Sequence, residues 1–395
     1  MAIQDGQVAS MTDQSTARYH GLDALRAFAM FLGVVLHSAL IYVEPVVMAE
    51  LLPETAPVEP SLGVSILSLW IHLWRMPLFF LLAGFFAEMA LHRRGAGPFL
   101  YDRLIRILGT LVFFLAVFAL MTGQDFGTLD HLWFLWFLWW YCVAAGGLHR
   151  LGWGRHLSAL GWFFAQRSRV LWLIVPVAVM SLLLRENTVV QIIPIVLWDP
   201  AWQGFVFNIL FFFAGQALWR NRARLPEILR PMPSLCALGA GSVATLLLIF
   251  FGAAVETETA PFGLFIVAAP VAAIGTLGTS FGLIGLTQSF VLRGSRLLSG
   301  LVRLAYPVYV FHLYIAIAIS VAIYAADPQI PQGQNVAITT VATSLACALL
   351  YLVMVRFTPL EWLFAGWKNA WWQWPFGEKK AAQTDGLRSR DGAGG

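Results

Sequence analysis

Apolar runs of roughly twenty residues alternate with short polar or Arg-rich interruptions along nearly the whole chain, the pattern of successive membrane spans. Cut at its charged and Pro/Gly-rich breaks, the sequence yields spans at about 22–43, 63–90, 104–122, 131–148, 169–185, 203–219, 234–255, 262–292, 304–326 and 336–356. A backbone in hydrocarbon must satisfy its own hydrogen bonds, and a helix does so within one segment. The pattern therefore predicts an all-α polytopic integral membrane protein with about ten transmembrane helices. The 262–292 run is Gly-rich and longer than a bilayer requires, so a break is expected within it. Residues 1–20 read as a polar cytoplasmic segment, 21–374 as the transmembrane domain, and 375–395, polar and Gly-rich, as a disordered cytoplasmic tail.

Charge gives the pattern a direction, because cationic loops stay in the cytoplasm. With the N-terminus inside, all of the 25 Lys and Arg residues except Arg75 and Arg185 fall at the cytoplasmic ends of the spans. The outer loops carry acids instead, among them Glu44, Glu50, Glu59, Asp125, Asp130, Asp199 and Asp327. Both termini are thus expected in the cytoplasm, with the chain crossing a bacterial inner membrane many times.

Composition agrees. Hydrophobic residues make up 59% and charged residues 12%, with mean hydropathy +0.73, against about 25% charged in soluble domains. The first twenty residues lack the apolar core of a cleavable signal peptide, so the first span is expected to direct insertion. Cys142, Cys236 and Cys347 lie singly in apolar runs, which excludes a disulfide framework or a Cys-based metal site, and no metal is expected. The net charge of +4 is scattered over short loops, so no nucleic-acid partner is expected. Membrane lipids are the evident neighbours.

Ionisable groups inside a membrane are costly and mark candidate chemistry. On the first span Arg26 and His37 are eleven residues apart, about 16 Å along a helix and nearly three turns, so they share one face. An Arg at the cytoplasmic mouth can hold an anionic group, while an imidazole farther out can take a proton or an acyl group. Asp23, one turn before Arg26, can orient that guanidinium. In IHLWRMPLFFLLAGFF, His72 and Arg75 lie three apart near mid-span. Arg75 needs either a protein carboxylate or an anionic ligand. Pro77 is expected to kink that helix and Gly84 to admit a close neighbour. In YDRLIRIL, Arg103 and Arg106 share a face at what reads as a helix N-terminus, a setting suited to phosphate. DHLWFLWFLWWY puts His131 at the outer entrance of a span with Trp133 beside it, suited to stacking on a sugar, and AYPVYVFH puts His312 at mid-span. Walker, G-x-S-x-G, H-E-x-x-H and dinucleotide motifs are absent from the sequence.

These motifs resemble the acyltransferase 3 family of membrane acyltransferases, and the likeness spans nearly the whole chain. GLDALRAFAMFLGVVLH is similar to that family's basic-residue, ten-spacer, histidine motif, and RLIR to its R-x-x-R motif. IHLWRMPLFFLLAGFF and HLWFLWFL are most similar to the branch that succinylates osmoregulated periplasmic glucans. Ala83-Gly84 replaces the Ser-Gly common in the family, so a hydroxyl role there has no support.

The resemblance implies an enzyme that moves an acyl group from cytosolic acyl-CoA, succinyl-CoA or acetyl-CoA, to a hydroxyl of a periplasmic glycan. No permanently bound cofactor is expected, and acyl-CoA is the co-substrate. It further implies that Arg103 and Arg106 hold coenzyme A phosphates, that Arg26 guides the thioester arm, and that His37 is a general base or an acyl carrier. His72, Arg75, His131, Trp133 and His312 are assigned to the acceptor or acyl-group site, with Arg75 matching a succinyl carboxylate. No SGNH hydrolase-like segment accompanies the spans, so the chain is expected to finish the transfer alone or with a glycan-synthesis partner. A homo-oligomer is left open. The competing classes are a transporter or flippase for an anionic or lipid-linked glycan, and a membrane scaffold.

Overall fold

The computed structural model describes residues 19–53, 59–183, 196–199, 201–255, 262–291 and 293–366. The tail 375–395, Arg185 and most of the N-terminal segment lie outside the described residues. The main helices are α1 His20–Ser38, α2 Leu62–Arg94, α3 Ala96–Thr122, α4 Asp130–Arg150, α5 Ile174–Leu183, α6 Trp202–Arg220, α7 Pro231–Val255, α8 Phe262–Phe290, α9 Arg296–Ala326, α10 Gln332–Leu350 and the short α11 Glu361–Ala365. The described residues contain no β-strand.

Eight of these helices, α1–α4 and α7–α10, are long and apolar enough to cross a membrane, against the ten spans expected. The chain is an α-helical, multi-pass membrane protein. The expected 203–219 span is the 19-residue α6, long enough but diluted by Asn208 and Gln216, both fully buried. The expected 169–185 span begins as a 3-10 turn at Arg167–Leu173 and is regular only in the ten residues of α5, about 15 Å long. The break expected within 262–292 is absent, for α8 runs unbroken from Phe262 to Phe290. Its glycines serve contact instead, since the backbones meet where Gly278 faces Gly241 of α7.

Burial separates centre from rim. Of the most apolar stretch of each helix, 67% is buried in α2 and 61% in α1, but only 28% in α7 and α10. The rim helices point Leu246, Leu345, Leu349 and Val353 outward, where lipid replaces a protein neighbour. Around α2 the core is aromatic, with Trp74, Phe80, Phe85, Phe134, Tyr141 and Phe212 fully enclosed.

Two sequence features hold α2 at the centre. Gly84 lies against the Phe212 carbonyl and Gly215 against the Leu81 carbonyl, so α2 and α6 touch backbone to backbone and a Cβ at either position would clash. Pro77 sits inside α2 without ending it. Lacking an N–H, it leaves the Leu73 carbonyl without its helical donor, and the Thr276 hydroxyl of α8 donates to that oxygen at 3.0 Å.

Candidate active site

At the arginine-rich end of the bundle a cavity of about 360 Å³ opens between α1, α3, α9 and the end of α10. Arg26, Arg103 and Arg106 line it, together with Arg303 and Tyr306 of α9. Each of the first three is steadied by a neighbouring carboxylate. Arg26 pairs with Asp23 at 3.3 Å and lies over the Phe86 ring at 5.0 Å. Arg103 lies over Phe99 at 5.2 Å, and Asp102 reaches both Arg103 at 3.5 Å and Arg106 at 3.8 Å. Three carboxylates, Asp23, Asp102 and Glu361, beside five guanidiniums, those four and Arg356, leave the surroundings positive, a setting for phosphate.

The arginines do not sit at a helix N-terminus, contrary to the expectation from YDRLIRIL. The helix already begins at Ala96, so the N–H groups and dipole of the first turn lie well away from Arg103. A π-helical turn over Leu104–Gly109 carries Arg106 instead, a local widening that recurs at functional sites. Its Nε donates to the Phe364 carbonyl at 3.1 Å, and Thr110 donates to the Leu363 carbonyl at 3.1 Å, so α11 is tied beneath the cavity. Glu361 anchors the other end of α11, accepting from the Tyr351 hydroxyl at 2.7 Å. Burial pushes the Glu361 carboxyl above its ordinary pKa, while Tyr351, Arg356 and Arg303 oppose that shift.

Deeper in, the space narrows to about 10 Å³ among Met30, Met76, Phe79, Phe134, Tyr309 and Arg75. Met30, Phe79 and Phe134 line both spaces, so the slot adjoins the cavity. Arg75 is 5% exposed, and its Nε and Nη1 have no hydrogen-bond partner. Its guanidinium bonds the Tyr309 hydroxyl, which in turn donates to the His131 carbonyl at 3.4 Å. No carboxylate of the described residues forms an ion pair with it. The first of the two explanations the sequence left open for Arg75, a protein carboxylate, therefore finds no support among the described residues. The guanidinium and the Tyr309 ring occupy the place a side chain at position 33 would take, which is why α1 carries Gly33 there. One turn farther out on that face stands His37.

Three imidazoles converge beyond the slot. His37 Nδ1 lies 2.8 Å from His312 Nε2, and His312 Nδ1 lies 2.5 Å from the Tyr309 carbonyl. His131 Nε2 lies 2.9 Å from the Val310 carbonyl, and its Nδ1 is buried without a partner. Ring centroids are 5.1 Å apart for His131 and His312 and 6.2 Å for His37 and His131. His72, one turn outward of Arg75 on α2, is near enough to act on His37 electrostatically. His37 and His72 are half-buried, whereas His131 and His312 are buried.

Trp133 stands apart from this group. Its ring packs against Phe80 at 6.2 Å and Phe137 at 5.4 Å and is 7% exposed, so it walls the core instead of offering a face to a sugar. The i, i+4 spacing to Phe137 on an inward helix face is the reason. Sequence reasoning passed over Arg303, Tyr306 and Tyr309. Arg303 looked like one more cytoplasmic charge, and the signal was its spacing of three and nine residues before Tyr306 and His312 on one helix.

A helical membrane bundle with a basic cavity at one end and a histidine cluster deeper in has the layout of an intramembrane group-transfer enzyme. The profile of the acyltransferase 3 family, described as an acyltransferase domain, matches residues 19–355, and the chain belongs to that family. It is a membrane acyltransferase. No curated protein and no solved structure matches the chain.

Proposed function

We propose that the protein takes an acyl group, preferably succinyl, from cytosolic acyl-CoA and transfers it to hydroxyls of a periplasmic glycan across a bacterial inner membrane. The carrying observation is the arginine-lined cavity, which shares Met30, Phe79 and Phe134 with the slot at Arg75, one turn of α1 away from His37. Coenzyme A phosphates meet Arg26, Arg103, Arg106 and Arg303, and the thioester arm passes Met30, Phe79 and Phe134. His37 then either removes the acceptor's proton or carries the acyl group.

The likeness of IHLWRMPLFFLLAGFF and HLWFLWFL to glucans biosynthesis protein C supports succinyl as the group and osmoregulated periplasmic glucan as the acceptor. Arg75, lying against Gly33 one turn of α1 from His37, is the cation such a carboxylate would meet. An unpaired guanidinium beside an acyl group also stabilises charge that develops on the carbonyl.

The test is incubation of the purified protein with labelled succinyl-CoA and acetyl-CoA, followed by mass spectrometry of glycans from cells with and without the gene. Transfer that disappears in His37→Ala supports the enzyme. Donor binding without turnover would replace this reading with a carrier.

A further inference from the structure

The hydrogen bonds around His37 fix more than its position. A neutral imidazole has one N–H and one lone pair, and the partner of one nitrogen decides the state of the other. His312 Nδ1 is 2.5 Å from the Tyr309 carbonyl, which can only accept, so His312 carries its proton on Nδ1. Its Nε2 is then a lone pair, and it faces His37 Nδ1 at 2.8 Å. His37 must donate there. One backbone carbonyl thus sets both rings, and the lone pair of His37 is left on Nε2.

We propose that His312 is the positioning residue of the transfer: it accepts the Nδ1 proton of His37, holding that ring with Nε2 ready to react. This rests on the acyl-transfer reading above. If His37 acts as base, Nε2 takes the acceptor's hydroxyl proton as the oxygen bonds to the thioester carbon. The C–S bond then breaks, and the proton passes from Nε2 to the departing sulfur. His312 holds the Nδ1 proton throughout.

If His37 carries the acyl group, Nε2 bonds to the carbonyl carbon and the C–S electron pair leaves on sulfur. The Nδ1 proton moves to His312 Nε2, giving a neutral acyl-imidazole. When the acceptor oxygen attacks, the C–N bond breaks and His312 returns the proton to His37. The hydroxyl proton goes to the free Nδ1 of His131 and on to the thiolate. Both routes need an acceptor at the His312 position.

The experiment compares wild type, His312→Gln and His312→Leu. The Gln amide oxygen can still accept from His37 Nδ1, whereas Leu cannot. Nitrogen-15 spectra of histidine-labelled protein, with His37 assigned by its loss in His37→Gln, are expected to report an Nδ1–H tautomer in wild type and His312→Gln. In His312→Leu, kcat is expected to fall about 100-fold with KM for acyl-CoA within about twofold, and His312→Gln to recover at least about tenfold of that loss.

Nε2–H on His37 in wild type would overturn the proposal, as would equal kcat losses in the two variants or a change confined to KM. If His312→Leu fails to fold, the spectra of wild type and His312→Gln decide. The two readings also fail separately. A wild-type protein that transfers no acyl group from any CoA donor loses the proposed function, while its nitrogen spectrum still decides the tautomer.

Discussion

Arginine occupies two different settings in this protein. Arg26, Arg103 and Arg106 surround a cavity of about 360 Å³ and are half-buried, each with a carboxylate and, for two of them, an aromatic face beside it. Arg75 lies in a slot of about 10 Å³ with Nε and Nη1 unpartnered. Near water a guanidinium is solvated and paired at little cost, whereas at the centre of a bilayer it costs about 3 kcal/mol even on the mildest scale. Buried charge elsewhere among the described residues is paired, as Glu88 is with Arg220. On the proposed function, the outer setting would gather the donor, and the inner one, where the Arg75 guanidinium has the Tyr309 hydroxyl but no carboxylate beside it, would act where the acyl group changes hands.

That contrast can be broken at several points. The largest effect is expected in the inner region, where His37→Ala should lower kcat about 1000-fold while the donor still binds, read by acyl transfer and by isothermal titration with CoA. Arg75→Gln should cost about 100-fold with succinyl-CoA and distinctly less with acetyl-CoA. Equal loss for both donors would remove the succinyl carboxylate from Arg75 and leave the guanidinium on the carbonyl. Arg103→Ala or Arg106→Ala should act through KM, raising it about tenfold for acyl-CoA, since a lost charge-assisted hydrogen bond is worth roughly 1.5–3 kcal/mol. Added salt should mimic that change. If kcat falls instead, the two settings are not separate.

Two smaller effects concern the scaffold. Gly84→Val should drive a side chain into the Phe212 carbonyl and destabilise the α2–α6 contact by about 1–3 kcal/mol, seen as a lower Tm in detergent. Thr276→Val, which removes the donor to the Leu73 carbonyl, should cost about 0.6 kcal/mol by the same measurement.

Much of this was legible in the sequence because membrane physics is strict. Twenty-residue apolar runs and the one-sided placement of Arg gave the helical class, and the eleven-residue spacing placed Arg26 and His37 on one face. The rest depended on tertiary contacts that no local pattern encodes. The helix carrying Arg103 begins at Ala96 because α2 ends at Arg94 and Gly95 turns the chain, and nothing in YDRLIRIL announces that earlier start. Trp133 could not be distinguished from a sugar platform until Phe80 was seen beside it. The unbroken α8 reflects packing of its glycines on α7, which overrides their tendency to interrupt a helix. The His37–His312 bond joins residues 275 apart in sequence, beyond any motif.

The claim that donor and acceptor are used on opposite sides can be measured directly. Protein reconstituted in liposomes would receive succinyl-CoA only on the arginine-rich side and osmoregulated periplasmic glucan only on the other, with the glucan then read by mass spectrometry. Wild type is expected to yield succinylated glucan and His37→Ala none. Product formed only when both substrates share one side would contradict it.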